Sequence, residues 1–412
     1  MAEFFDAQET RDPEARERDL LARLPAQVAH AKAKAPWFAE SLRDIDAAAI
    51  TSRTALAQLP VIRKHELIDL QKQQRPFGGL ATAGWGSLGR VFASPGPIYE
   101  PEGRSKDYWR TARALFAAGI RPGDLVHNSF SYHMTPGGWM LEAGARALGC
   151  TVFPGGVGQT EQQVQAMADL QPQAYVGTPS FLRILIDKAD ELGLKVPSLT
   201  KALVSGEAFL PPVREALAAR GVAGYQCYAT ADLGLIAYET AAREGLVIDE
   251  EVILEIVRPG TGEPLPVGEV GEVVVTLFNA DYPLIRFGTG DLSAVLPGAS
   301  PCGRTNLRIK GWLGRADQTT KVKGMFVHPE QVAAVVKRHA EIKRARLVVT
   351  NPDSNDLMTL HCEAETMAHD GLSAAIADSL RELTKLRGEV RLVAPGSLPN
   401  DGKVISDERK YD

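Results

Sequence analysis

From about residue 105 to 228 the chain alternates between two apolar patterns. Segments with apolar positions three and four apart are followed by short continuous apolar runs, the marks of amphipathic helices and buried strands. The helix "SKDYWRTARALFAAG" precedes the strand "DLVHNSF", and "GWMLEAGARALG" precedes "CTVFP". In "TEQQVQAMADL", Thr160 is placed to cap the helix with Gln163 at the third helical position, and Pro172 ends it. "AYVGT", the helix "PSFLRILIDKADELG", "KALVSGEA", the helix "PPVREALAARG" and "GYQCYAT" complete the series. Strands alternating with helices predict an α/β fold, a parallel sheet with helices on both faces. Ligands gather at the carboxyl ends of such strands, so the loops that follow them are the candidate sites.

The flanks read differently. Residues 1–75 are mainly helical, punctuated by Pro13, Pro25, Pro36 and Pro60. From about 246 to 297, "LVIDEEVILEIV", "GEVGEVVVTLF", "PLIRFG" and "DLSAVL" predict a β-rich subdomain of antiparallel hairpins or a small barrel. Beyond "GWLGRADQ" a helix from Pro329, the strands "ARLVVT" and "LMTLHCEA", a helix at 371–386 and the strand "EVRLVA" form an α+β set able to fold alone. The expected domains are 1–313 and 314–412, with Gly311 and Gly314 at the junction.

Composition narrows the function classes. The 412 residues are 44% hydrophobic and 24% charged, ordinary for a globular chain. A net charge of −5 gives no reason to expect a nucleic-acid or anionic-membrane surface. Cys150, Cys227, Cys302 and Cys362 are widely spaced, which suits a reduced cytoplasmic protein rather than a disulfide framework or a zinc site. The charged start is unlike a signal peptide, and no apolar run reaches the roughly 18 residues of a membrane span. His127 and His133 lack metal-ligand spacing. "GGVGQT" (155–160) has the wrong order for a dinucleotide loop and reads as a βα turn. No nucleophile elbow is present.

Five stretches are more specific: "SGEAF" (205–209), "YATAD" (228–232), "RFGTGD" (286–291), "GRADQTTKVKG" (314–324) and "LPNDGKV" (398–404). In this order and spacing the chain resembles the adenylate-forming superfamily of acyl- and aryl-CoA synthetases, adenylation domains and luciferases, and within it the phenylacetate–CoA ligase family. "GTGEPLPVGEVGEVVVTLFNADYPLIRFGTGDL" and "TPSFLRIL" carry the finer likeness, and the resemblance runs from about residue 25 to the end. It implies ATP or AMP, Mg2+ and CoA as cofactors and co-substrates, a small carboxylic acid and a thiol as partners, and a homodimer. Tyr228 would stack on adenine, within a nucleotide-binding stretch that includes Ala229 and Thr230, and Gly206 and Glu207 would lie along the base. Asp291 would accept hydrogen bonds from both ribose hydroxyls, with Arg315 near the ribose. The small domain would swing about Asp317, and Lys403 would contact the acid and the α-phosphate. "HNSFSYHMTPGGWM" matches the acid-site segment, so Phe130, Tyr132, Met134, Gly137 and Gly138 would line that pocket, with Ile236. Aromatic walls favour an aryl or arylacetic acid. An alternative reading makes Phe130 and Tyr132 core residues at a strand end.

One region departs from the resemblance. Relatives carry a Ser/Gly/Thr-rich loop ending in Gly-Lys, whose amides, hydroxyls and lysine cradle the β- and γ-phosphates. After "RVFAS" this chain reads "PGPIYEPEG", leaving only Ser94 and Gly96 of a degenerate loop. Pro95, Pro97 and Pro101 have no amide donors, and Glu100 and Glu102 would repel a triphosphate. Ala231 stands where a phosphate-contacting hydroxyl is usual, and Asp232 replaces the longer Glu that helps hold magnesium, leaving Asp232 as the candidate metal ligand. Cys302 stands alone, so zinc is not predicted. Three readings follow. The first is ATP-dependent acid–CoA ligation, with Arg104 or Lys106 replacing the loop lysine. The others are an AMP- or acyl-adenylate-binding acyltransferase and a non-catalytic binding or scaffold protein.

Overall fold

The computed structural model describes residues 3–95, 97–316, 318, 320–322, 325–351, 356–365 and 371–409. Two compact units divide the chain. One contains residues 1–254, 275–287 and 296–312; the other contains 255–274, 288–295 and 313–412.

The first unit is built on the predicted parallel sheet. Its strands lie in the order Thr151–Pro154, Leu125–Asn128, Ala174–Gly177, Lys201–Val204 and Ala223–Thr230, every neighbouring pair parallel. Antiparallel strands extend it, among them Gly234–Glu239, Leu246–Ile248 and Arg308–Ile309. Side chains alternate between the faces of a strand. Ala174, Val176 and Leu203 accordingly join one core layer, whereas Tyr175, Ala202 and Val204 join the other. Burial on both faces explains why these strands read as continuous apolar runs rather than as an alternating pattern.

Local chemistry corrects three of the sequence expectations. Only Ala112–Ala117 of the expected 105–119 helix forms, because both carboxylate oxygens of Asp107 cap the amides of Thr111 and Ala112, each at 3.1 Å. Pro25 does not punctuate; it lies inside the long helix Pro13–Lys34. One amide donor is lost there, but Leu20, Leu24, Val28 and Ala31 are all buried along one face. Burying a leucine contributes roughly 1.5–3 kcal/mol, enough to hold the turn. Thr160 starts its helix but does not cap it: the N-cap is Gln159, with no side-chain hydrogen bond, and Gln163 is turned elsewhere.

The second unit contains a four-stranded sheet in the order Glu389–Val393, Leu357–Ala364, Ile342–Thr350 and Ile405–Asp407. The helices Pro329–Arg338 and Leu372–Thr384 pack with it around Val335, Leu347, Leu360, Ile376 and Leu380. The predicted helix and strand ends are met within a few residues. Leu360 has no exposed surface. Leu360→Ala should therefore lower stability by about 2–5 kcal/mol, read as lost hydrogen-exchange protection in Ile342–Thr350.

Candidate active site

Three of the loops that follow the parallel strands, those after Asn128, Val204 and Thr230, carry candidate residues. After Leu125–Asn128 the Asn128 side chain organises the turn. Its Nδ2 donates to the Tyr132 hydroxyl and to the Gly138 carbonyl, both at 2.8 Å, and its Oδ1 accepts from the Phe130 amide. Tyr132 donates to Glu142 Oε2 at 2.9 Å and meets the Trp139 ring edge to face. Burial and then the Glu142 charge push its hydroxyl well above the usual phenol range, so it stays a donor. A Cβ on Gly138 would fall 2.8 Å from the Ser131 carbonyl and 2.9 Å from the Tyr132 ring. The corresponding atom on Gly137 or Gly206 would lie 3.5 or 3.6 Å from Phe130. The structure thus brings Phe130, Tyr132, Gly137, Gly138 and Gly206 together. Met134 is instead 74% exposed, and Ile236 is fully buried in the strand Gly234–Glu239. Gly138→Ala should raise the KM for the acid at least tenfold by pushing Tyr132 out of place, while the melting temperature falls by only a few degrees.

The nucleotide candidates lie on neighbouring loops. Glu207 Oε1 accepts the Ser180 amide at 2.7 Å, at the N-terminus of the helix Pro179–Glu191. Tyr228 is half-buried on Ala223–Thr230, next to an irregularity in the pairing with Gly234–Glu239, and the Thr230 hydroxyl accepts the Leu233 amide. "GGVGQT" is a locked turn. Gln163 Nε2 donates to the carbonyls of Gly156 and Gly158, and Gln163 Oε1 lies 2.8 Å from His127 Nε2. His127 is stacked against Phe153 and Tyr175, and burial lowers its pKa.

In the second unit Asp291 and Arg315 form an antiparallel bridge and an ion pair, with Arg315 Nη1 3.0 Å from Asp291 Oδ1. Asp291 is buried whereas the Arg315 side chain is half-exposed. Lys403 is exposed, and its amide donates to Asp401, which Arg346 anchors at 2.8 Å. It lines a cleft of 740 Å³ with Arg258, Lys337, Lys343 and Arg344. Gly96, Asp317, Thr319, Lys323 and Gly324 lie outside the described residues.

The degenerate loop is a hairpin, Arg90–Ser94 paired with Ile98–Glu102. Its two ends carry a buried charge cluster that sequence reasoning did not assemble. Glu100 has no exposed surface, and its carboxyl engages Ser94 twice, from the amide at 3.2 Å and from the hydroxyl. Asp232, also buried, is held by Lys64 Nζ at 2.6 Å. Asp232 Oδ1 and the nearby Tyr282 hydroxyl have no hydrogen-bond partner among the described residues. Glu100 was read only as a repulsive charge and Lys64 was not singled out, because 168 residues separate Lys64 from Asp232. Magnesium at Asp232 would first have to displace the Lys64 ammonium, and among the described residues no group of three acidic, histidine or cysteine side chains is arranged to hold a metal. Neither proposed substitute for the loop lysine reaches the cluster through a hydrogen bond seen here: Arg104 donates to the carbonyls of Ser87 and Gly86, and Lys106 is exposed.

No protein-family model matches the chain. A phenylacetate–coenzyme A ligase of Thermus thermophilus is 33% identical over 94% of this chain and 95% of its own length. The chain belongs to the phenylacetate–CoA ligase family. The Escherichia coli phenylacetate–CoA ligase is 28% identical, with 92% of each chain covered. Among solved structures, 2-hydroxyisobutyryl-CoA ligase, determined in the postadenylation state with an acyl-AMP, aligns at 26% identity with a TM-score of 0.72, covering 97% of this chain and 91% of that one. The fold is that of the adenylate-forming CoA ligases.

Burial and then the Asp232 charge push the Glu100 carboxyl up to about 8, against the opposing pull of Ser94 and Lys64. Its folded pKa lies above the ordinary 4.5, so this group's contribution to stability is fully present below pH 4.5 and is lost as pH rises through 8. Glu100→Gln, a neutral isostere, should raise the melting temperature by several degrees at pH 8. The gain should vanish near pH 4.5 in a thermal series.

Proposed function

We propose that this chain joins an aromatic or arylacetic carboxylic acid to CoA through an acyl-adenylate. One observation carries the reading. The acid-site turn of Phe130, Tyr132, Gly137 and Gly138 abuts Gly206 of the adenine stretch, in a chain that is family-like along its whole length. In the first half-reaction the acid carboxylate attacks the α-phosphorus of ATP and pyrophosphate leaves. Lys403 would offset the charge developing on the α-phosphate, and Asp291 would hold the ribose with Arg315 behind it. In the second, the thiol sulfur attacks the acyl carbon, the bond from that carbon to the phosphate oxygen breaks, and AMP leaves. The 314–412 domain would turn about Asp317 between the two steps. Tyr228, Ala229 and Thr230 would flank the adenine. A cytoplasmic location and a homodimer complete the proposal. No helix among the described residues is long and apolar enough to cross a membrane.

A second reading is favoured by the hairpin. With Ser94 taken by Glu100 and Asp232 by Lys64, the pyrophosphate side is occupied by the chain's own groups. The protein would then consume a preformed acyl-adenylate and catalyse only transfer to the thiol. Pyrophosphate exchange and CoA thioester formation across a panel of aryl acids separate the two readings. Exchange with at least one arylacetic acid supports the ligase; thioester formation from supplied acyl-adenylate without exchange supports the transferase. Lys403→Ala should lower exchange about 100-fold or more, and Asp291→Ala should weaken AMP binding about tenfold. Absence of AMP binding and of both half-reactions would overturn both readings.

A further inference from the structure

We infer that Glu100 is the specificity-determining residue for the phosphate chain: its carboxyl fills the place of the β-phosphate and turns the site toward AMP and acyl-adenylates. The inference rests on the adenylate-site reading above.

A phosphate loop works by presenting convergent amide and hydroxyl donors to an anion. In this hairpin the Ser94 amide and hydroxyl both meet the Glu100 carboxyl, so the chain carries its own occupant for those donors. The turn supplies no replacements at Pro95 and Pro97, which have no N–H. Register keeps the carboxyl in place. Phe92 pairs with Glu100 and Ser94 with Ile98, so the side chain returns to the strand from which the loop springs. Gln71 clamps the next residue, accepting the Tyr99 amide and donating to the Tyr99 carbonyl, both at 2.8 Å. The backbone of Glu100 is thus held in register with the strand that carries Ser94. Asp232 adds a second carboxyl, leaving one ammonium, Lys64, between two acidic groups. A β-phosphate entering here would lose the Ser94 donors to Glu100 and gain two acidic neighbours. Glu207 and Tyr228, proposed to meet the adenosine, belong to the parallel sheet and its loops and not to this hairpin. The selectivity is consequently confined to the phosphates beyond the first. A separate ATP-consuming, acid-activating reaction would then supply most of the acyl-adenylate that this chain uses.

The test is calorimetric titration of the full chain with AMP and with Mg-ATP, in wild type, Glu100→Ala, Glu100→Ser and Glu100→Gln. Wild type should bind AMP at least as tightly as ATP. The short side chains should move the ATP-to-AMP affinity ratio at least tenfold toward ATP. Glu100→Gln, which still fills the space and still pairs with Ser94, should keep the wild-type ratio. If the truncated variants do not fold, the wild type decides alone, since a tenfold preference for ATP is incompatible with a β-phosphate place already filled by Glu100. A wild type that prefers ATP tenfold, or folded truncations that shift the ratio less than tenfold, overturn the inference and leave the adenylate site standing. Failure of wild type to bind AMP overturns the site reading itself, and the inference with it.

Discussion

A carboxylate taken out of water must find a donor, a counter-charge or a proton. That requirement organises this molecule more than any single motif does. It docks the N-terminal helix, where Arg16 meets buried Glu250 at 2.7 Å and the Thr305 hydroxyl at 2.8 Å. It also joins Glu9 to the Tyr238 hydroxyl and to Arg304 across the sheet core. The same rule yields opposite chemistry at two further carboxylate sites. Asp291 is paired by a half-exposed arginine. Asp232 and Glu100 are enclosed, one neutralised by Lys64 and the other raised toward holding its proton.

The sheet explains why such local differences can matter without disturbing the fold. Five parallel strands end on one side, so the loops after Asn128, Gly177, Val204 and Thr230 share an edge by topology alone. Their side chains are then free to differ, because the core that aligns the strands lies below them in Val126, Val176 and Leu203. The hairpin Arg90–Ser94/Ile98–Glu102 is outside this sheet, as a two-stranded ribbon. Its Phe92 joins the core beneath the sheet, but the hairpin pairs with no strand of the sheet.

Much of this was legible in the amino-acid order. Buried strands announce themselves by apolar runs, and the α/β alternation carried the parallel sheet through residue 230, though not the order of its strands. Boundaries were less legible where a side chain overrode the periodic pattern, as Asp107 does by capping Thr111 and Ala112. Gly137 and Gly138 were read as pocket lining; what the sequence did not show is that a Cβ on Gly138 would meet the Ser131 carbonyl and the Tyr132 ring. Long-range pairs were not legible: nothing local marks Lys64 as the partner of Asp232, or Gln71 as the clamp on Tyr99.

The hairpin also shows the limit of reading motif loss as loss of function. Proline and acid in place of glycine and lysine look like decay when each residue is scored against a loop that binds phosphate. In three dimensions the same residues form a satisfied structure: Glu100 answers Ser94, Lys64 answers Asp232, and Gln71 holds Tyr99. Decay leaves donors unpaired, whereas this hairpin pairs those of Ser94. A buried acid with no role would be expected to give way to a neutral residue, since its desolvation works against folding at every pH where it ionises. Its presence at full burial, in register with the strand that begins the phosphate loop, is the physical reason to treat the sequence PGPIYE as a built element of the site.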